Sequence, residues 1–141
     1  MYKHILVPTD GAKLSDEAVT KAIQFAKETG AKLTAVHVMP EYIPPAFAEF
    51  PAAGQASFAE FMKATEETAK TVLGNAKKAA DDAGVACETV SVRHTQPYRA
   101  IIDLARDKAC DLIFMSSHGR RGLSALVLGS ETNKVLTHSS I

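Results

Sequence analysis

Two short stretches of this chain carry residue types suited to holding an anion. One is SSHGRRGLSALVLGS, Ser116 to Ser130, with Gly119, Gly122 and Gly129, two adjacent arginines and four serines. A glycine just past a strand exposes backbone N–H groups with no side chain in the way. Further on, Gly129-Ser130 precedes Glu131-Thr132-Asn133, which open a helix, and free N–H groups and the helix dipole at such a start favour an anion. Two donor clusters of this kind, folded together, can grip a polyphosphate without a Walker lysine. On spacing alone, the same residues also read as a glycine turn leading into a capped helix. The other stretch is Pro8-Thr9-Asp10-Gly11, where Asp10 could face a ligand or cap an Asx-turn.

Around these stand weaker candidates. His118 could touch phosphate or orient the loop, and Arg120 and Arg121 could neutralise a γ-phosphate or form a solvated face. His37 lies inside an apolar run and reads as a satisfied core or interface histidine, while His94 and Gln96 could line a cleft. No GxxxxGK[ST] occurs, which excludes a P-loop NTPase, and no GxGxxG occurs, so the dinucleotide fingerprint is absent. No nucleophile or carboxylate partner can be assigned to any histidine, so no residue is given a catalytic role.

These residues need a frame. The 141 residues fit one domain, 1–141, long enough to bury a core without a staple. Lys+Arg and Asp+Glu are equal at 16 each, so no global field draws in nucleic acid or an anionic membrane. Cys87 and Cys110 match no CxxC or zinc spacing and read as two small buried hydrophobes. No signal peptide opens the chain and no apolar run reaches the ~20 residues of a membrane helix, so a cytoplasmic protein is expected.

The elements follow from pattern. HILVP (His4 to Pro8) predicts a buried strand ending in a Thr-Asp-Gly turn. Ser15 before Asp16-Glu17 predicts an N-cap, with Val19, Ala22, Ile23 and Ala26 on the inner face and Gly30 as the stop. KLTAVHVM (Lys32 to Met39) is the second strand, which completes a right-handed βαβ unit. Pro40 to Gly54 has four prolines and several aromatics, including Phe47 and Phe50, which predicts an ordered or semi-ordered flap (40–55) that covers a ligand or meets a partner. A long helix runs from about Ser57 to Ala83, with Phe58, Phe61, Met62, Thr65, Ala69, Val72, Leu73, Ala76 and Ala80 at helical spacing and Gly84 as the stop. Ala86 to Arg93 is the third strand, Pro97 opens the third helix, Asp111 to Ser116 is the fourth strand, and Glu131 to Thr137 the last helix. Alternating elements with continuous apolar strands predict a single-domain three-layer α/β/α sandwich around a parallel sheet, Rossmann-like. Ligands of such sheets bind beyond the carboxyl ends of the strands, where the loops after strands one and four can face one cleft.

HILVPTDG, AVHV, DLIFMSSHGRRGLSALVLGS and SETNKVLTHS together resemble the universal stress protein (UspA) superfamily along essentially the whole chain. Its nucleotide-binding branch carries Gly-x2-Gly-x9-Gly-Ser/Thr, and the matching register here is Ser116-x2-Gly119-x9-Gly129-Ser130, with serine at the first position. The resemblance implies an adenine nucleotide alpha hydrolase-like fold with a site for ATP, AMP or ADP. By that likeness Pro8, Thr9 and Asp10 line the cleft, with Asp10 near the ribose or acting through Mg2+. Val38 offers backbone groups to adenine, Met115 and Ser116 flank the ribose and α-phosphate, and Gly119, Gly129, Ser130 and Glu131 supply N–H donors. Ser116 costs energy if its position needs positive φ, crowds the ligand if close approach is needed, and adds a bond if neither holds. The resemblance also implies a closing fifth strand that commonly pairs with its twin across a homodimer. No such run follows His138-Ser139-Ser140-Ile141, so the final edge strand is expected to be absent and the interface is open.

The expectation is an ATP-binding regulatory or stress-response protein rather than an enzyme, with slow hydrolysis or autophosphorylation on a serine left open. Its partners are an adenine nucleotide, a second copy and an unknown protein, with no nucleic acid and no membrane. The rivals are a member of the same superfamily that holds no nucleotide and works through protein contacts, and an enzyme of phosphoryl or adenylyl transfer, for which the lysine and the metal-binding carboxylate pair are missing.

Overall fold

The computed structural model describes residues 1–47, 57–116 and 130–141. His4–Pro8 (β1) is followed by Lys13–Thr29 (α1), Lys32–Met39 (β2), a short 3-10 turn at Pro45–Phe47, and Phe58–Asp82 (α2). Cys87–Arg93 (β3), Pro97–Asp107 (α3), Leu112–Ile113 (β4) and Ser130–His138 (α4) complete the order. Among the described residues the sheet is four-stranded, in the order β3-β2-β1-β4, and every pairing is parallel. Helices cover both faces, as the alternation of elements requires.

β1 lies inside the sheet and can expose neither face, which is why its sequence is unbroken Ile5-Leu6-Val7, all fully buried. Strand alternation sends Ile5 and Val7 to one face and Leu6 to the other. The first pair joins Val19, Ile23, Leu33, Ala35, Leu73 and Ala76 under α1 and α2, with Cys87 packed at its margin. Leu6 joins Val36, Ile101, Ala105, Cys110 and Val135 under α3 and α4. The two thiols therefore sit on opposite faces of the sheet.

The stops at Gly30 and Gly84 hold, since both take positive φ (74° each), and Pro97 is the first residue of α3. The cap of α1 differs from expectation. The helix begins at Lys13 with Ala12 as N-cap, and Ser15 lies within its first turn. Asp10 is the reason: its Oδ1 accepts from Ala12 N–H at 2.9 Å, while the Ser15 hydroxyl turns back to accept from Asp10 N–H at 3.4 Å. The expected inner face of α2 is only partly inward. Ala69, Leu73, Ala76 and Ala80 are buried, whereas Phe58 is exposed. A helix of 25 residues is about 37 Å long and the longest strand of 8 spans about 26 Å, so the amino-terminal turns of α2 overhang the sheet.

β4 forms ladder pairs only at Leu112 and Ile113, shorter than the expected Asp111 to Ser116, and β1 is its strand partner among the described residues. Phe114 N–H still reaches the Leu6 carbonyl at 2.8 Å. Of the flap, residues 40–47 are described, and Phe50 lies outside the described residues. Tyr42 packs on Phe58 and Phe61 of α2, with ring centroids 5.3 and 5.4 Å apart.

Candidate functional site

Parallel strands share one carboxyl edge, and the neighbours β1 and β4 end side by side there. Pro8 ends β1. Thr9 is buried and its N–H donates to the Val36 carbonyl at 2.9 Å, carrying the ladder one step past the strand. His37 holds the other side of Thr9: its Nδ1 lies 3.0 Å from the Thr9 carbonyl. A carbonyl can only accept, so Nδ1 carries the proton. His37 is thus the satisfied buried histidine its apolar run suggests. Asp10 follows in the Asx-turn described above. Gly11 has φ 80°, and a Cβ there would lie 2.8 Å from Val72 Cγ2, so α2 sits directly on this turn.

Val38 and Met115 pack on the same apolar cluster, on the α3/α4 face. Ser116 stands at the exit of β4, and its carbonyl accepts from the Thr132 hydroxyl at 2.7 Å. That bond draws the first turn of α4 onto the end of β4 and closes the two flanks of segment 117–129 upon each other. Ser116 has no positive φ; Ala109, at 55°, is the only non-glycine residue that does among the described residues. The serine is therefore not strained by its backbone, and the first of the three possibilities for it falls away.

Ser130 and Glu131 are the first two residues of α4. The Glu131 side chain is turned to α3, where its Oε2 accepts from Tyr98 N–H at 2.9 Å. The N-cap of α3, Gln96, makes no side-chain cap bond, and Glu131 supplies one from another helix. Gly119, Gly129, His118, Arg120 and Arg121 lie outside the described residues. His94 and Gln96 do sit at the carboxyl edge, but the His94 Nδ1 accepts from Gln96 N–H at 2.9 Å and so orders its own loop. Among the described residues no cluster of three His, Cys, Asp or Glu side chains is placed to hold a metal ion. A magnesium ion held by Asp10 and phosphate oxygens does not need such a cluster.

Two residues at this edge were not singled out by sequence. Thr132 looks like any first-turn threonine until its partner Ser116, 16 positions back, is known. Arg93 donates Nη1–H to the Pro40 carbonyl at 2.6 Å and Nη2–H to Thr65 Oγ1 at 2.9 Å, and its guanidinium lies over Phe61 at 5.9 Å. It ties the root of the flap and the end of β3 to the overhanging turns of α2.

No helix among the described residues is long and apolar enough to cross a membrane. The Universal stress protein family model matches residues 1–141. Universal stress protein MJ0531 of Methanocaldococcus jannaschii is 34% identical over 139 residues, covering 99% of this chain and 78% of that protein. The solved structure of MJ0577, from the same organism, aligns with a TM-score of 0.79 and 30% identity, over 99% of this chain and 92% of that one. A universal stress protein crystallised in complex with cAMP aligns with a TM-score of 0.71 and 27% identity, over 99% and 92%. The family model spans the whole chain and relatives of 30% identity or more cover nearly all of it, so the chain belongs to the universal stress protein family.

Proposed function

We propose that the carboxyl edge holds an adenine nucleotide, with ATP as the reference ligand, and that the protein acts as a nucleotide-dependent regulator. The observation that carries this reading is the Thr132–Ser116 bond, which brings both flanks of the glycine-bearing segment together at the end of β4. The N–H groups at the start of α4 then lie beside the end of β4, and a helix start favours an anion. Val38 and Met115 on one shared face offer an apolar bed for a base. The neighbour in complex with cAMP lends support from a relative of the same fold. Asp10 would hold ribose or reach the phosphates through a magnesium ion. Fast turnover is not part of the proposal, since among the described residues no base is paired with a group to position water.

Calorimetric titration of ATP with magnesium, repeated with cAMP and with Gly129→Val, tests the reading. Saturable ATP heat that is lost in the variant, with negligible phosphate release, supports it. No heat from any nucleotide would leave the second reading, a member that works through protein contacts, for which serine in place of glycine at 116 is the specific observation. Many turnovers per minute would overturn both.

A further inference from the structure

We infer that His37 is a positioning residue for the turn after β1: its ring holds the Thr9 carbonyl and so fixes the peptide that leads into Asp10. The inference rests on the nucleotide reading for its effect on affinity, but its geometry stands on its own.

Alternation along β2 places Ala35 on the α1/α2 face and Val36 and Val38 on the α3/α4 face, so His37 points toward α1 and α2. Packing alone would be satisfied there by an aliphatic side chain. An imidazole, 7% exposed, is costly unless its polar atoms are bonded. The bond it makes is to Thr9, itself 5% exposed, at 3.0 Å.

Asp10 N–H to Ser15 Oγ and Gly11 N–H to Thr9 Oγ1 are both 3.4 Å, at the long limit for a hydrogen bond. Asp10 Oδ1 to Ala12 N–H, at 2.9 Å, orients the carboxylate. β2 holds Thr9 from both sides, the Val36 carbonyl taking its N–H and the next residue's ring taking its C=O. The Thr9 and Asp10 groups then meet a ligand already aimed, which lowers the ordering cost of binding.

The test compares His37→Leu, which keeps bulk and loses the donor, with His37→Asn, whose amide Nδ2–H reaches about as far as Nδ1–H. In the ligand-free full-length protein, His37→Leu is expected to speed amide exchange at Asp10 and Gly11 and to shift the Thr9 carbonyl carbon resonance, with His37→Asn restoring both. ATP affinity is expected to fall about five- to tenfold in His37→Leu and to recover most of that in His37→Asn, in keeping with one buried hydrogen bond. Exchange and resonance unchanged in His37→Leu would overturn the inference whatever ATP does. Equal loss of affinity in both variants, following their melting temperatures, would reduce His37 to a packing residue. A wild-type protein that gives no ATP heat overturns the nucleotide reading, and the exchange data still decide the grip on Thr9.

Discussion

Thr132 and Ser116 are joined by a 2.7 Å hydrogen bond from a side-chain hydroxyl to a main-chain carbonyl, and the exit of β4 is thereby fastened to the start of α4. Thr132→Val keeps the shape and removes the donor. It is expected to cost about 1 kcal/mol of stability in urea unfolding, the ordinary worth of one such bond. It should also weaken ATP binding, while Thr137→Val, which removes a bond within α4 alone, should not. Equal effects of the two on ATP would separate the Ser116 contact from the site.

Glu131 caps a helix other than its own. Its Oε2 takes the Tyr98 N–H in the first turn of α3, and Lys134 lies 3.6 Å from its other oxygen. Glu131→Ala is expected to lower stability by about 0.5–2 kcal/mol, the range for losing an N-cap acceptor. Glu131→Gln keeps an acceptor and should recover about half of that loss or more. Matching melting curves for the two variants would argue against the cap.

Gly11 and Gly30 separate two reasons for a glycine. Both have positive φ, but a Cβ at Gly30 meets nothing within 4 Å, whereas one at Gly11 meets Val72 Cγ2 at 2.8 Å. Gly30→Ala should cost about 1 kcal/mol from backbone strain alone. Gly11→Ala adds overpacking and should cost about 2–4 kcal/mol. Val72→Ala in the Gly11→Ala background should return part of the loss, a coupling that a double-mutant cycle measures; strict additivity would mean that α2 does not sit on the turn.

The opposite, amino-terminal end of the sheet governs acid sensitivity. His4 is buried, with Nδ1–H donating to the Lys108 carbonyl at 3.1 Å and Nε2 accepting from the Thr34 hydroxyl at 2.7 Å. Burial, with Lys32 adding to it, holds the ring below its ordinary 6.5. Below that value the unfolded chain takes a proton that the folded ring refuses, so the His4 contribution is complete above pH 6.5 and is lost as pH falls toward the folded value. Asp111 acts lower. Its carboxylate accepts from His4 N–H at 3.0 Å and Lys3 N–H at 2.9 Å, bonds that hold it below 3.8. That contribution is present above 3.8 and disappears as pH falls through the folded value. Urea midpoints at pH about 7.5 and about 5 should differ more in the wild type than in His4→Phe. An equal difference would remove His4 as the cause.

Much of this was legible in local pattern. β1 and β2 have the bounds their apolar runs predict, and Gly30, Gly84 and Pro97 stop or start helices for backbone reasons that need no tertiary context. What failed locally failed because a distant or competing partner intervened. Ser15 lost the cap to an Asx-turn at Asp10, and β4 was overread because an apolar run does not show where its pairing with β1 ends, here after Ile113. Phe58 kept the period of an inner face on turns that overhang the sheet. At the carboxyl edge, the place of Thr9 and Asp10 just past β1 was readable from the end of the strand, while Pro8, Met115 and Ser116 were singled out by the family resemblance alone. The bonds His37 to Thr9 and Thr132 to Ser116 span 28 and 16 positions, and only the strand order reveals them.

The placement of the two sulfur atoms has a practical meaning. With Cys87 against one layer of helices and Cys110 against the other, oxidation cannot staple the chain to itself. Burial raises the Cys87 thiol and pushes Cys110 up to about 11, so little thiolate exists near neutrality for peroxide or an alkylating reagent to attack. Neither thiol is poised for oxidation, so the chain should form no intramolecular disulfide through handling in air.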